Sequence, residues 1–181
     1  KKPFVIKPID SFGQKGIFKI NEELSSKELK KKFLISKKFS SSKNGGVIIE
    51  EFIEGNEINI VILIENKDIK FLSFSDRVTY SHESRGFGVA SMHRYPPILS
   101  KDLISKIKLK CKKLIKSLRI KSGVLYPQII VRNKEIYFIE VASRVPGGKM
   151  RELSMLASGY DPIKFEIFRC LNFDELINRS K

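Results

Sequence analysis

The sequence predicts an α+β fold made of two α+β lobes, each built on an antiparallel sheet. Three observations carry that expectation. Residues 57–65 and 68–75 alternate apolar and polar around Asn66-Lys67, the pattern of a hairpin with a two-residue loop. Residues 123–131 and 135–142 repeat that arrangement around Arg132-Asn133-Lys134. Residues 27–43 and 101–121 are rich in lysine, with apolar residues recurring at three and four, the spacing of amphipathic helices.

Taken in order, residues 4–7 form a short apolar strand that Pro8 stops, because proline cannot donate to a ladder. A loop carrying Gly13, Lys15 and Gly16 leads into a second strand over 17–20. Asn21 is expected to cap a helical region running to about Phe39. The serine- and glycine-rich stretch 40–46 is a loop, and Val47 begins a third strand. After the first hairpin, residues 76–98 form a long polar and aromatic connection holding Arg77, His82 and Arg85; such loops are commonly functional or disordered. A strand resumes near 87–95 and Pro96-Pro97 ends it. A helix over 101–118, the second hairpin, and two or three helices from about 149 to 178 complete the chain. The lobes divide at 54/55, giving a small lobe 1–54 and a large lobe 55–181. No internal repeat or low-complexity segment interrupts this order.

At 181 residues the chain is long enough for one large domain or two small lobes with cores of their own. Hydrophobic residues at 41% and charged residues at 30% exclude a disordered chain. No apolar run approaches the ~20 residues that span a bilayer as a helix. The start lacks both a signal peptide's apolar region and an initiator methionine, and strand-like sequence begins at once. The expectation is a piece of a longer protein. Cys111 and Cys170 sit in apolar helical patterns without metal-ligand spacing and read as buried free thiols in a reducing cytoplasm. The net charge of +15 would suit nucleic acid. However, the lysines lie on helical faces, and no RNA-recognition motif, zinc-finger spacing or aromatic-rich basic stripe accompanies them, which disfavours a nucleic-acid partner. An acidic partner, such as a missing part of the chain, explains the charge equally well.

Chemistry concentrates in three places. Lys7 ends a strand beside the loop of Gly13, Lys15 and Gly16; an ammonium and glycine backbone amides can together neutralise a polyphosphate. Glu50-Glu51-Phe52-Ile53-Glu54-Gly55-Asn56-Glu57 follows an apolar strand and turns at Gly55; its carboxylates can accept from an amino group or from ribose hydroxyls, and its backbone can read a base edge. The run Glu140-Val141-Ala142-Ser143-Arg144-Val145-Pro146-Gly147-Gly148 delivers a carboxylate, an arginine and two glycines at a strand end, where phosphate chemistry is commonly built. Taken singly, these stretches suit ordinary turns and solvent-facing acids equally well.

In this order and spacing, Val5-Ile6-Lys7-Pro8 with Gly13–Gly16, Ile48–Glu57, and Ile139–Arg144 with Gly147-Gly148 resemble the ATP-grasp superfamily, particularly its carboxylate–amine ligase and carbamoyl-phosphate-synthase-like branches. The resemblance spans nearly the whole chain. It implies a lid lobe over 1–54 and a C-terminal lobe over 55–181 that sandwich ATP, with a preceding N-terminal α/β domain absent from this chain. It assigns Lys7 to the α- and β-phosphates and Lys15 with the Gly16 amide to the phosphates from the lid loop. Glu50 and the Glu51 carbonyl accept from the adenine amino group, the Ile53 amide donates to the ring, and Phe52 lies in the same stretch. Glu57 holds the ribose. Glu140 and Gln128 ligate Mg2+, with Mn2+ able to substitute, and Arg144 faces the γ-phosphate or the acyl phosphate. His93 and Lys149 are assigned to substrate, beside the plainer readings of a surface-strand histidine and a helix-start lysine.

The sequence departs from the family pattern in three places. The first metal position is Gln128 where an acid is common, although an amide carbonyl suits a hard cation. The position two after Glu140 is Ala142 where asparagine is common. Gln14 replaces a small residue in the glycine loop. The implied reaction activates a substrate carboxylate as an acyl phosphate, which an amine or similar nucleophile captures with release of ADP and phosphate. Two readings compete with that ligase: a non-catalytic ATP-binding module, which Ala142 allows, and a carbamoyl-phosphate-synthase-like or carboxylase-type enzyme. A basic nucleic-acid-binding domain rests on charge alone. The expected partners are small carboxylate and amine substrates and the N-terminal domain, with no membrane and with an oligomer allowed. Met150, Leu153 and Met155 read as core.

Overall fold

The computed structural model describes residues 2–171 apart from 22, 43 and 81–86. His82, Arg85 and the expected helical residues after 171 lie outside the described residues. The chain divides into two compact units, Lys1–Glu54 with Thr79–Met92, and Gly55–Val78 with His93–Lys181. The segment 79–92 thus belongs with the first unit, although it interrupts the second in sequence.

The first unit contains β1 (Phe4–Pro8), β2 (Phe18–Ile20), α1 (Ser26–Lys38) and β3 (Val47–Glu51). Its sheet has the order β2-β1-β3, with both neighbours antiparallel to β1. The helix begins later than its sequence suggests. Asn21 is not its cap; Ser25 is, accepting from the Glu28 N–H while the Glu28 carboxylate accepts from the Ser25 N–H. That reciprocal capping box satisfies two of the donors a helix start leaves open. Pro8 closes β1 from within the ladder, opposite Val47.

The second sheet runs β6-β5-β4-β7-β8, from β4 (Asn56–Glu65), β5 (Asp68–Thr79), β6 (Ala90–Arg94), β7 (Gly123–Arg132) and β8 (Glu135–Ala142). Strand β4 is central, antiparallel to β5 on one side and to β7 on the other, and β7 in turn pairs antiparallel with β8. Alternation sorts its side chains between two faces. Ile58, Ile60, Ile62 and Ile64 join a core with Ile107, Cys111 and Ile115 of helix α2 (Lys101–Ser117). Those three helical residues recur every four positions, so they share one face. Val61 and Leu63 point the other way, into a cluster with Val124, Tyr126, Met150 of α3 (Met150–Ser158) and Phe165 of α4 (Pro162–Cys170). Burial raises the Cys111 thiol to about 12, which leaves it protonated and unreactive. Cys170 corrects the expectation of two buried thiols, because it is exposed. Met155 is likewise exposed on α3 while Met150 is core. Among the described residues no helix is long and apolar enough to cross a membrane.

Candidate functional site

In the first unit, the β1–β3 register places Val5 opposite Glu50 and Lys7 opposite Ile48. Lys7 and Glu50 therefore sit diagonally on one face, and the Lys7 ammonium lies 2.5 Å from the Glu50 carboxylate. The Lys7 side chain is only 17% exposed, so its ammonium is held in position instead of sweeping solvent. The Phe52 N–H donates to Pro3, and the ring of Phe52 carries the Lys19 ammonium 3.7 Å above its centroid and packs edge-on to Phe87. Among the described residues the Ile53 N–H has no acceptor within the protein.

The glycine loop has a built conformation. Gly13, Gln14 and Gly16 all have positive φ. A side chain at Gly16 would strike Phe39 at 2.9 Å and Pro8 at 3.2 Å, whereas one at Gly13 would meet nothing within 4 Å. Gly16 is thus required for packing, and Gly13 leaves backbone open to approach. Lys15 on this loop is exposed, 5.8 Å above the Phe12 ring. Asp10 ties the loop's base to residues 40–41, accepting from the Ser40 hydroxyl and from the Ser41 N–H; these bonds, the Ser40 hydroxyl first, hold its carboxyl below the usual range.

In the second unit, cross-strand register collects polar residues into rows. Asn59 on β4 faces Ser75 on one side and Gln128 on the other, and Gln128 faces Glu140. A β-bulge makes the last pairing possible. Between Ile129↔Phe138 and Gln128↔Glu140 the ladder advances one residue on β7 and two on β8, which makes Ile139 the extra residue of the bulge. Phe138 and Val141 pack toward the α2 core, whereas Ala142 packs with the opposite cluster. The extra residue therefore turns Glu140 onto the face of Gln128. Glu140 is exposed and, among the described residues, forms no ion pair. Ala142 lies opposite Tyr126 and packs against the Tyr126–Met150 cluster, so the asparagine-type ligand common in the family is replaced here by an apolar contact.

One row further along, Glu57 on β4 pairs with Arg77 on β5. Arg77 is buried within the sheet; it does not decorate the long connection, as its place in the sequence suggested. Its guanidinium also acts on His93 and Tyr126. Burial, opposed by Arg77 and reinforced by Glu140, pushes the Tyr126 hydroxyl up to about 12. Asn59 is fully buried, its amide nitrogen 3.1 Å from His93 Nδ1, while its side-chain Oδ1 has no partner among the described residues. The signal that marks Asn59 in the sequence is a polar residue inside Ile58–Ile62 of a central strand.

His93 sits on β6, partly buried, and its contact with Asn59 is best satisfied by a neutral ring whose Nδ1 accepts. Burial, then Arg77, lowers its pKa below the ordinary 6.5. The unfolded chain therefore binds more protons than the folded one just below that value, and stability falls as pH drops through 6.5. We expect the His93 ring resonances to titrate below pH 6.5, and His93→Gln to flatten the stability profile on its acid side below pH 6.5, measured by denaturant unfolding. A ring that titrates at or above 6.5 would contradict the assignment.

Downstream, Arg144 is exposed, and its guanidinium donates to the Val145 carbonyl at 3.1 Å. Side chains at Gly147 or Gly148 would meet nothing within 4 Å, and α3 starts without a side-chain cap. The start of α3 is closed by backbone bonds, the Met150 N–H donating to the Gly147 carbonyl at 3.3 Å and the Leu153 N–H to that of Lys149 at 3.0 Å, beside an arginine. Lys149, at positive φ, is 87% exposed and pairs with Glu152, so it does not join the polar rows. Among the described residues no three His, Cys, Asp or Glu side chains form a metal cluster. The oxygen donors available for Mg2+ are Glu140 and Gln128, one carboxylate and one amide carbonyl facing across the strands. That pair fits an ion that is usually held by one or two carboxylates together with substrate phosphates.

Two antiparallel-sheet units of mixed α and β structure, one carrying a glycine loop and the other a strand-borne polar row ending in a carboxylate, define an α+β scaffold. Residues 1–152 match the ATP-grasp domain, and the chain belongs to that family. It is 27% identical over 145 residues to a D-alanine–D-alanine ligase of Fusobacterium nucleatum, covering 78% of this chain and 45% of that protein. It is 24% identical over 143 residues to the C-terminal section of the carbamoyl phosphate synthase large chain of Aquifex aeolicus, covering 78% and 25%. The fold is shared with the biotin carboxylase of Campylobacter jejuni, solved as a β,γ-ATP complex, at a TM-score of 0.75 and 18% identity over 93% of this chain and 36% of that one. The chain thus spans less than half the length of each of these relatives.

Proposed function

We propose that this chain is the ATP-binding catalytic region of a ligase that activates a carboxylate as an acyl phosphate for attack by an amine or similar nucleophile. The observation that carries this reading is the bulge-aligned pair of Gln128 and Glu140, facing each other on the sheet upstream of Arg144 and the uncapped α3 N-terminus. In this reading the first unit supplies Lys7, Lys15 and the Gly16 amide for phosphates, and Glu50, Glu51, Phe52 and Ile53 for the base. The second supplies Glu57 for the ribose, Gln128 and Glu140 as oxygen ligands, and Arg144 for the transferred phosphoryl group and the acyl phosphate. Mg2+, when bound, would screen phosphate charge. The protein's own contribution is to position the reactants and to stabilise charge as it develops. The fusobacterial and carbamoyl-phosphate-synthesising relatives carry names of this reaction class, which supports the reading. A cytoplasmic setting, small-molecule substrates and a further domain supplying the acceptor pocket belong to the same proposal.

The test is ADP release by the full-length protein with Mg2+-ATP and a panel of carboxylates and amines. The proposal expects release that depends on both substrates, and a thermal shift with Mg2+-ATP that Lys7→Ala abolishes. Nucleotide at a hundred times its Kd would stabilise the fold by about 2.7 kcal/mol. Ala142, packed into the apolar cluster, favours one alternative, a module that binds ATP without catalysis. A thermal shift with no substrate-dependent turnover would establish that alternative.

A further inference from the structure

At the end of the second sheet remote from the polar rows, three segments enclose a crevice of about 550 Å³. They are the β4–β5 hairpin tip, the last turns of α2, and the connection from α2 to β7. Five of its seven lining residues are cationic: Lys67, Lys112, Lys116, Arg119 and Lys121. The other two, Ile115 and Ile120, supply an apolar floor; Ile115 is buried and Ile120 partly so. None of the lining residues is acidic, and among the described residues none of the five cations is ion-paired.

The arrangement is fixed by backbone, not by loose side chains alone. The Lys67 N–H donates to the Lys121 carbonyl at 2.6 Å, and the Asn66 N–H donates to the Ser122 hydroxyl at 3.1 Å, which pins the hairpin tip to the connection. Asn66, Lys67 and Arg119 all adopt positive φ. The α2 end is closed by N–H donations from Leu118 to Leu114, from Arg119 to Lys116 and from Ile120 to Ile115. Five like charges lining one crevice repel one another, the more so at low ionic strength. A multivalent anion relieves that repulsion and gains charge-assisted hydrogen bonds from ammonium and guanidinium groups. From Asn59 to Glu65, β4 runs roughly 20 Å at about 3.3 Å per residue, so this crevice is separate from the row of Glu57, Asn59, Gln128 and Glu140.

We propose that this crevice is a second anion site, which takes one compact ligand carrying two or more linked phosphate groups. A pocket bounded by three segments suits a compact anion better than an extended backbone, which calls for a continuous groove. The site is independent of the ligase reading.

Inorganic tripolyphosphate is the probe, titrated into the full chain by calorimetry and by amide and methyl NMR. The expected result is saturable binding of one anion at the crevice, with resonances of Ile115, Ile120 and Lys121 shifting. It should persist in Lys7→Ala/Lys15→Ala, which removes phosphate ligands of the nucleotide site. It should weaken at least tenfold in Lys112→Glu/Lys116→Glu/Arg119→Glu. If that charge reversal does not fold, the glutamine versions and the shift map of the unaltered protein decide the matter. The proposal is overturned by loss of all binding in Lys7→Ala/Lys15→Ala, by shifts that spare Ile115 and Ile120, or by no saturable binding. Affinity that grows with oligonucleotide length and exceeds that for tripolyphosphate overturns it in favour of a nucleic-acid surface.

Discussion

Replacing Glu140 with alanine is expected to lower substrate-dependent ADP release by about 10²- to 10³-fold, roughly 3–4 kcal/mol of lost transition-state stabilisation. The size follows from the donor set. Glu140 is the only carboxylate in the row of Ser75, Asn59, Gln128 and Glu140. Ala142, two residues on, adds no oxygen. A Mg2+ ion there would rely on one charged ligand, with the neutral Gln128 amide as its neighbour. Glu140→Gln should therefore lose nearly as much activity as the alanine variant and should require more Mg2+ to saturate, because shape is preserved and charge is not. Gln128→Ala should cost less, about tenfold. Because Glu140 is exposed and unpaired among the described residues, the nucleotide-free protein should melt within about 0.5 kcal/mol of the parent. A Glu140→Ala protein with full turnover would remove Glu140 from the mechanism.

Much of the fold was legible in the sequence, and for identifiable reasons. Alternation located both hairpins and the strands flanking them, since strands with two distinct faces must alternate. The helix over 101–117 was legible because Ile107, Cys111 and Ile115 form one stripe amid lysines. The start of α1 lies at Ser25 and not at the expected Asn21, and its signal is in the sequence: Ser25-Ser26-Lys27-Glu28 is the S-x-x-E pattern of a capping box. The bulge at Ile139 was not legible. One-residue insertions follow from which side chains the core accepts on each face, and that is decided only when sheet and helices assemble. For the same reason the neighbours of Glu57 and Asn59 stayed hidden, because partners across a sheet depend on register. The division of the chain was partly hidden too: residues 79–92 join the first unit across 24 intervening residues, 55–78, and composition carries no mark of that return.

Removing the Arg77 side chain while keeping its length apolar, as in Arg77→Met, is expected to destabilise the protein by about 3 kcal/mol in urea unfolding. The loop Asn66-Lys67 by itself would set Glu65 opposite Asp68 and carry that register on to Glu57 opposite Asp76, two acids face to face. A second bulge prevents this. The ladder steps from Ile64↔Ile69 to Leu63↔Phe71, leaving Lys70 out, and everything beyond moves by one residue. Ile58 then faces Asp76, and Arg77 comes to Glu57. The same step puts Leu72 and Phe74 on the α2 side and Phe71 on the opposite side, so apolar packing and charge pairing select one register together. Asp76, freed from Glu57, accepts from Arg94 at 2.8 Å and from the Ile98 N–H at 3.1 Å. With the Arg77 side chain only 7% exposed and that of Glu57 22%, deleting the cation strands a largely desolvated carboxylate. Most of the loss should come from that stranded charge and not from the worth of the pair. The double variant Glu57→Met/Arg77→Met should then recover more than half of it, which a thermodynamic cycle measures. Equal losses in the single and double variants would locate the contribution of Arg77 in its other contacts, those toward His93 and Tyr126, and not in Glu57.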